Sequence, residues 1–259
     1  SDSKKTVSAF RKLVDVDKIR AVGTGFAGPG NAVAPLADKE QIIHFSIASD
    51  LSIAKDKPFV FNHWIKPENE AGVYIKEAKK QGLKKIAMIT SNQQGIIAIR
   101  DALLKEDPSI FILKDELLGP QEKDFRTTII KAKNEGADAF LLMIMPGQLS
   151  SAVKQIKEMK INIPLTSVES FEYDQGALPL LEGQWYVSSA DPSESFMASY
   201  KEKYNSLPYP GSGYAYDVIR ILITAFEKEE ATNEGVAKTI SEMKDFPGVT
   251  GVLSVDSDG

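Results

Sequence analysis

The residues able to do chemistry are few and far apart. Gly23-Thr24-Gly25-Phe26-Ala27-Gly28 matches the spacing GxGxxG, between a short apolar run and a helical pattern. Such a turn bares backbone N–H groups toward an anion at a helix start. A dinucleotide also needs an acid at the end of the next strand to take its ribose. The run Ile42 to Phe45 ends instead in Ser46-Ile47. The turn therefore reads as a site for a smaller anion, or as a turn with no ligand. A nucleotide-dependent α/β enzyme using Gly23, Gly25 and Gly28 is the alternative. His44 and His63 are the two histidines of the chain and cannot form a metal cluster alone. His44 lies within an apolar run and reads as a core residue. With no Cys in the chain, disulfides, thiolate zinc, iron–sulfur clusters and thiol catalysis are excluded. HExxH, P-loop and GxSxG patterns are absent, and Gly211-Ser212-Gly213 lacks the strand of a nucleophile elbow and reads as a helix start. Two acids remain, Asp50 and Glu169. Each follows the end of an expected strand, where open α/β sheets take up ligands.

The elements that must position these residues alternate between amphipathic helices and short apolar runs. Val7, Phe10 and Val14 mark a first helix, Ile19 to Val22 a strand, and Asn31 caps a helix carrying Val33, Leu36 and Ala37. Ile42 to Phe45 and Phe59 to Phe61 are the next strands. Pro67 opens a helix to about Lys80. Strands follow at Lys84 to Ile89, Ile110 to Leu113, Ala139 to Met145, Ile163 to Val168 and Gln184 to Ser189. The helices between them carry Ile97 to Lys105, then Phe125, Ile129 and Ala132, then Leu149, Val153 and Ile156. Trp185 and Tyr186 read as packing residues. Past Asp191-Pro192 the chain turns helical, at Glu194 to Tyr204, Tyr214 to Glu229 and Gly235 to Met243. In the second of these, Ala215, Ile219, Leu222 and Phe226 form the expected apolar stripe, and a strand Val249 to Val255 follows. Alternation of this kind implies βαβ units and parallel sheets.

The 259 residues carry 42% apolar and 26% charged side chains, an ordinary globular composition for one or two domains. The formal net charge is −5, a poor match to nucleic acid or an anionic membrane. No run approaches a membrane span, and Ser1-Asp2-Ser3-Lys4-Lys5 has no signal-peptide apolar region, so the expectation is a cytosolic protein or a leader already removed.

Several segments, in order, carry a family resemblance. Phe45-Ser46-Ile47-Ala48-Ser49-Asp50 with Pro58-Phe59-Val60-Phe61, Asp124-Phe125 with Ile129, Ala137-Asp138-Ala139-Phe140, Tyr214-Ala215-Tyr216-Asp217-Val218, and Gly248-Val249-Thr250-Gly251 with Asp256 to Gly259 are the matching stretches. They resemble the type I periplasmic solute-binding proteins, specifically the branched-chain amino acid (Leu/Ile/Val) substrate-binding family of ABC transporters. The resemblance implies an α/β fold of two doubly wound parallel-sheet lobes, joined by a multi-crossing hinge, that close on a ligand in the cleft between them. Residues 1–64 and 192–248 would form the first lobe, 66–190 the second, and 249–259 a hinge-crossing strand. It also implies that about the first fifty residues of the mature family fold are missing, leaving the first lobe incomplete.

What the resemblance implies for function is a binding protein rather than an enzyme, taking a small polar solute such as an amino acid, with no cofactor and no metal; a sensor or interaction module on the same fold is a further alternative. Its partners would be that solute and a membrane permease, not nucleic acid, and its place the periplasm or cell surface after loss of a leader. The implied ligand-binding positions are Phe26, Ala27, Ser49, Asp50, Asn92, Met145, Glu169 and Tyr214. Glu169 aligns with the acid that receives a ligand ammonium. Ala27 stands where a serine hydroxyl holds the ligand carboxylate, and Asp50 where a threonine does, so the family's amino acid specificity does not transfer directly. Two readings of Asp50 follow: a ligand with an amine and no strong need of a carboxylate, or Ser49 acting as the hydroxyl in its place.

Overall fold

The computed structural model describes residues 3–228, 232–257 and 259. They fall into two compact units, one of residues 1–64 with 190–259 and one of residues 65–189. In the first unit the chain runs α1 (Ser3–Arg11), a π-helical turn, β1 (Ala21–Gly25), α2 (Ala27–Lys39), β2 (Ile43–Ile47) and β3 (Val60–Asn62). In the second it runs α3 (Pro67–Lys80), β4 (Ile86–Ser91), α4 (Gln94–Glu106), β5 (Phe111–Ile112), β6 (Leu117–Leu118), α5 (Arg126–Asn134), β7 (Ala139–Met143), α6 (Gln148–Glu158), β8 (Leu165–Val168) and β9 (Trp185–Val187). It returns to the first unit as α7 (Glu194–Tyr204), α8 (Ser212–Lys228), α9 (Asn233–Ser241), β10 (Phe246–Gly248) and β11 (Gly251–Leu253).

The unit of residues 65–189 is a parallel sheet in the order β5-β4-β7-β8-β9, with β6 also pairing with β4. Side chains alternate across the strands, so each face needs its own cover. Ile86, Met88, Leu141 and Met143 pack with Tyr74, Ile75 and Leu103 of α3 and α4. Ala87, Ile89, Phe140 and Leu142 pack with Ile129, Val153 and Ile156 of α5 and α6. The helix α3 starts at Pro67, whose missing N–H costs nothing there, and ends with Lys79 and Lys80 against its negative pole. The expected strand Ile110 to Leu113 is shorter: it breaks at Leu113, whose φ of 55° no extended strand allows, and resumes as β6.

The other unit rests on three parallel strands, β1-β2-β3. Ile43, Phe45, Phe59 and Phe61 face α8 and α9 through Val218, Ile221, Ala225, Val236 and Ile240. On the opposite face small residues let α2 come close. A Cβ on Gly30 would lie 2.7 Å from Ile53 Cδ1 and 2.7 Å from Ser46 Oγ.

Three local expectations are corrected. α2 begins at Ala27 with Phe26 as its N-cap, not at Asn31. Asn31 Nδ2 instead donates to the Ala27 carbonyl, 3.1 Å away, inside the helix. In α8 Leu222 and Phe226 of the expected stripe pack on the core, partly buried, but its fully buried apolar side chains are Val218, Ile221 and Ala225, while Ile219 is 56% exposed and Ala215 is exposed. That helix is apolar on more than one face, and the sheet selects which face is covered. Its expected end at Glu229 lies outside the described residues. Finally, the segment expected as one strand, Val249 to Val255, is instead a turn followed by the short β11. There Gly248 pairs with Gly251 in an antiparallel β10–β11 hairpin, because the carboxylate of Asp217 accepts from the Val249 and Thr250 amides and pins the turn.

Candidate functional site

Seven of the eight candidate positions lie at the C-terminal ends of parallel strands, four in the first unit and three in the second, and the eighth, Tyr214, lies in α8. Phe26 follows β1 with φ 68° and ψ 150°, a conformation nearly reserved for glycine, and its side chain is 59% exposed. Its amide donates to the Ile47 carbonyl at 3.0 Å, which ties the turn to β2. Ala27 opens α2 and is buried, so it offers no polar side chain. Pro29, the third residue of α2, removes one of the first-turn N–H groups that a phosphate would use.

Ser49 and Asp50 follow β2. Asp50 is committed to local structure. Its Oδ1 accepts from Ser52 N at 3.0 Å and Ser52 Oγ at 2.6 Å, capping a 3₁₀ turn, and its Oδ2 accepts from Asn31 Nδ2 at 2.7 Å. Ser49 is buried beside it. His44 is wholly buried, with Nε2 2.8 Å from Thr24 Oγ1, and burial pushes it down to about 4, so the ring is neutral.

Tyr214 sits in the first turn of α8. Its ring lies 5.0 Å from that of His63 and 4.4 Å from that of Trp64. Beneath this aromatic group is a residue that sequence reasoning did not single out as functional, Asp217, with no exposed surface. Thr250 Oγ1 donates to Asp217 Oδ2 at 2.6 Å, and His63 Nε2 stands 3.9 Å from the same oxygen. Burial opposes its ionisation, but His63, the Thr250 hydroxyl and two backbone amides outweigh burial and hold it down to about 2. Both partners lay in the segments Tyr214 to Val218 and Gly248 to Gly251. Only the structure joins them.

In the second unit Asn92 follows β4, is exposed, and donates its amide to the Leu118 carbonyl at 2.8 Å. Met145 follows β7. Its amide points at Ser91 Oγ, 3.3 Å away, and Ser91 Oγ–H donates to Gln148 Oε1 at 2.7 Å. Gln148 in turn donates to the carbonyls of Gly119 and Glu122 at 2.9 and 3.1 Å, so the Asn92 and Met145 loops share one rigid polar network. A buried Asp174 braces the same end. Its carboxylate accepts from Ser150 Oγ at 2.6 Å and from the Gly147 amide at 2.7 Å. Burial alone would raise it, but the Ser150 hydroxyl and the backbone amides hold it below the usual carboxylate range.

Glu169 follows β8 with φ 59° and ψ −40°, again a strained backbone for a side-chain-bearing residue, and its amide donates to the Val187 carbonyl at 2.8 Å. Next to it is a second acid the sequence did not flag, Glu70 of α3, only 2% exposed. Burial first, then the charge of Glu169, a hydrogen bond with it, and Glu172, push Glu70 far above the carboxylate range. Among the described residues no group of three or more His, Asp or Glu is arranged to hold a metal ion, and no helix is long and apolar enough to cross a membrane.

Comparison with known proteins places this geometry. A family profile described as "Periplasmic binding protein" matches residues 1–259. No curated protein sequence matches. Among solved structures, a leucine binding protein from Thermotoga maritima is similar over the whole chain and 79% of its own, at 18% identity and a TM-score of 0.88. The substrate binding protein of a branched-chain amino acid transporter from Streptococcus pneumoniae, in complex with isoleucine, is similar over 100% of this chain and 78% of its own, at 22% identity and a TM-score of 0.87. A solute binding protein of an ABC transporter from Rhodopseudomonas palustris, in complex with 3,4-dihydroxybenzoic acid, is similar over 98% of this chain and 75% of its own, at 21% identity and a TM-score of 0.79.

Proposed function

The chain belongs to the periplasmic binding protein family, and we infer that it binds a solute rather than catalysing a reaction. From that premise we propose that it is the solute-binding component of an ABC-type uptake system, acting in the periplasm or at the cell surface and delivering its solute to a membrane permease. The nucleotide-dependent enzyme reading of the Gly23-x-Gly25-x-x-Gly28 turn is given up with it.

The solute is small and polar and carries an amine. The observation that supports this is Glu169, an acid held at a strand end by a backbone that its side chain makes costly. Asp50 has both oxygens engaged by Asn31 and Ser52, so in this reading Ser49 supplies the hydroxyl for a ligand carboxylate. Phe26, Ala27, Tyr214, Asn92 and Met145 are the further binding positions of this reading.

The test is a thermal-shift screen against amino acids, amines, aliphatic dicarboxylates and aromatic acids, followed by calorimetry on the hits. A ligand at 100 times its Kd adds about 2.7 kcal/mol to stability. Glu169→Gln is expected to weaken an amine-bearing hit about tenfold or more, since a charge-assisted hydrogen bond contributes about 1.5–3 kcal/mol. Tight binding of benzoate or of a dicarboxylate, indifferent to Glu169→Gln, overturns the amine reading.

A further inference from the structure

Glu70 is the least expected buried group in the molecule. Both of its carboxyl oxygens are closed off from solvent, and no donor among the described residues bonds to either. The side chain that hydrogen-bonds with it is another carboxyl, that of Glu169. Two carboxylates do not bond to each other, so the contact is favourable only when one of them carries a proton. Two acids, Glu169 and Glu172, act on Glu70 with their charge, the latter accepting from Ser188 Oγ at 2.6 Å. An ionised Glu70 would thus be buried without a partner and beside like charge, the costliest arrangement available to it. The dipole of α3 favours an anion near its start, but Glu70 is its fourth residue, where that influence is fading.

We propose that Glu70 is a positioning residue that stays a neutral carboxylic acid and donates its O–H to the carboxylate of Glu169. Two consequences follow. The strained Glu169 side chain is held in one orientation from beneath, and the Glu70–Glu169 pair presents one negative charge rather than two. Such a pair suits a ligand with a single positive group and is poorly matched to a dication. This inference rests on the reading of Glu169 as the residue that meets the ligand's amine.

A glutamine is the isostere of a protonated glutamate, and leucine removes the donor while keeping the volume apolar. Three measurements on the full chain separate the outcomes. First, infrared difference spectra of wild type against Glu70→Gln at neutral pH are expected to show the carbonyl stretch of a protonated carboxylic acid in wild type only. Second, because the folded state holds a proton that the unfolded chain releases above its ordinary carboxylate range, wild-type stability falls as pH rises from 5 to 9, and Glu70→Gln flattens that fall. An unprotonated carboxyl signature together with an unchanged pH slope in Glu70→Gln overturns the proposal, whether or not any amine binds. Third, binding of isoleucine and of putrescine is measured by calorimetry. Glu70→Leu is expected to weaken the better of the two about tenfold or more, Glu70→Gln to restore it, and putrescine to gain no advantage over isoleucine. Undiminished binding by Glu70→Leu overturns the positioning role. Failure of every amine with wild type sinks the functional reading of Glu169 and leaves the first two measurements to decide the proton on Glu70.

Discussion

The two units solve one packing problem with unequal means. In residues 65–189, β4, β7 and β8 are flanked on both sides by other strands, and β7 is buried along its whole length under helices on both faces. In residues 1–64 with 190–259, three strands carry the sheet, and β1 has no strand beyond it among the described residues. Large apolar side chains pack both sheets. The narrow one adds the close approach at Gly30, the hydrogen-bonded Asp217 and a hairpin. Both units thus bury apolar clusters, but β4, β7 and β8 of the wide sheet are paired on both sides, whereas β1 ends the narrow one among the described residues.

The largest expected effect follows from that contrast. Amides of β1–β3 are expected to exchange with solvent faster than those of β4, β7 and β8 by about two orders of magnitude or more, as local opening of a less buttressed unit costs less. Equal protection in the two sheets, measured by hydrogen exchange with mass spectrometry, would break the comparison.

Asp217→Ala comes next. It leaves the Val249 and Thr250 amides and the Thr250 hydroxyl without their shared acceptor, and the expected loss is about 3–5 kcal/mol, read by denaturant melts. The pH dependence has a definite sign. Asp217 is held at about 2 in the folded chain against 3.8 ordinarily, so its contribution is present above that ordinary value and is lost as pH falls through it toward 2. The acid limb of stability thus draws on Asp217 in the first unit and on Asp174 in the second, whereas the Glu70 carboxyl acts in the opposite sense, its contribution falling as pH rises. A wild-type melt insensitive to pH between 5 and 2 contradicts the first half of this.

Gly30→Ala sharpens the comparison at smaller scale. The added Cβ meets Ile53 and Ser46, and the expected cost is about 1–3 kcal/mol, confined to exchange in residues 1–64 and 190–259. Smallest of all, Ile219→Lys on the uncovered face of α8 is expected to change stability by no more than about 0.5 kcal/mol. A loss above 2 kcal/mol would show that this face is packed in solution.

Much of the scaffold was legible in advance, for reasons that can be stated residue by residue. Pro67 can open a helix and cannot continue one, and α3 begins there. Ala139 to Met143 is apolar on both alternating sets, as only a doubly covered parallel strand needs to be. The site was legible as a set of strand ends but not as chemistry. Asp50 has the composition of a ligand acid, yet Asn31 and Ser52 take up its oxygens. Glu70 looks like an ordinary acid in the first turn of a helix, and nothing local says that it will be desolvated.

What the sequence determined by itself, then, is the order and type of the elements, since periodicity of 2 or 3.6 and turn chemistry are local properties. It also pointed to the strand ends as candidate binding positions. The tertiary structure alone decided which face of α8 is covered, that Tyr214 to Val218 and Gly248 to Gly251 lock together through Asp217, and that Glu70 meets Glu169. Burial and charge pairing join residues about a hundred positions apart, and the energy of such contacts depends on what surrounds a group, which no local pattern of residues encodes.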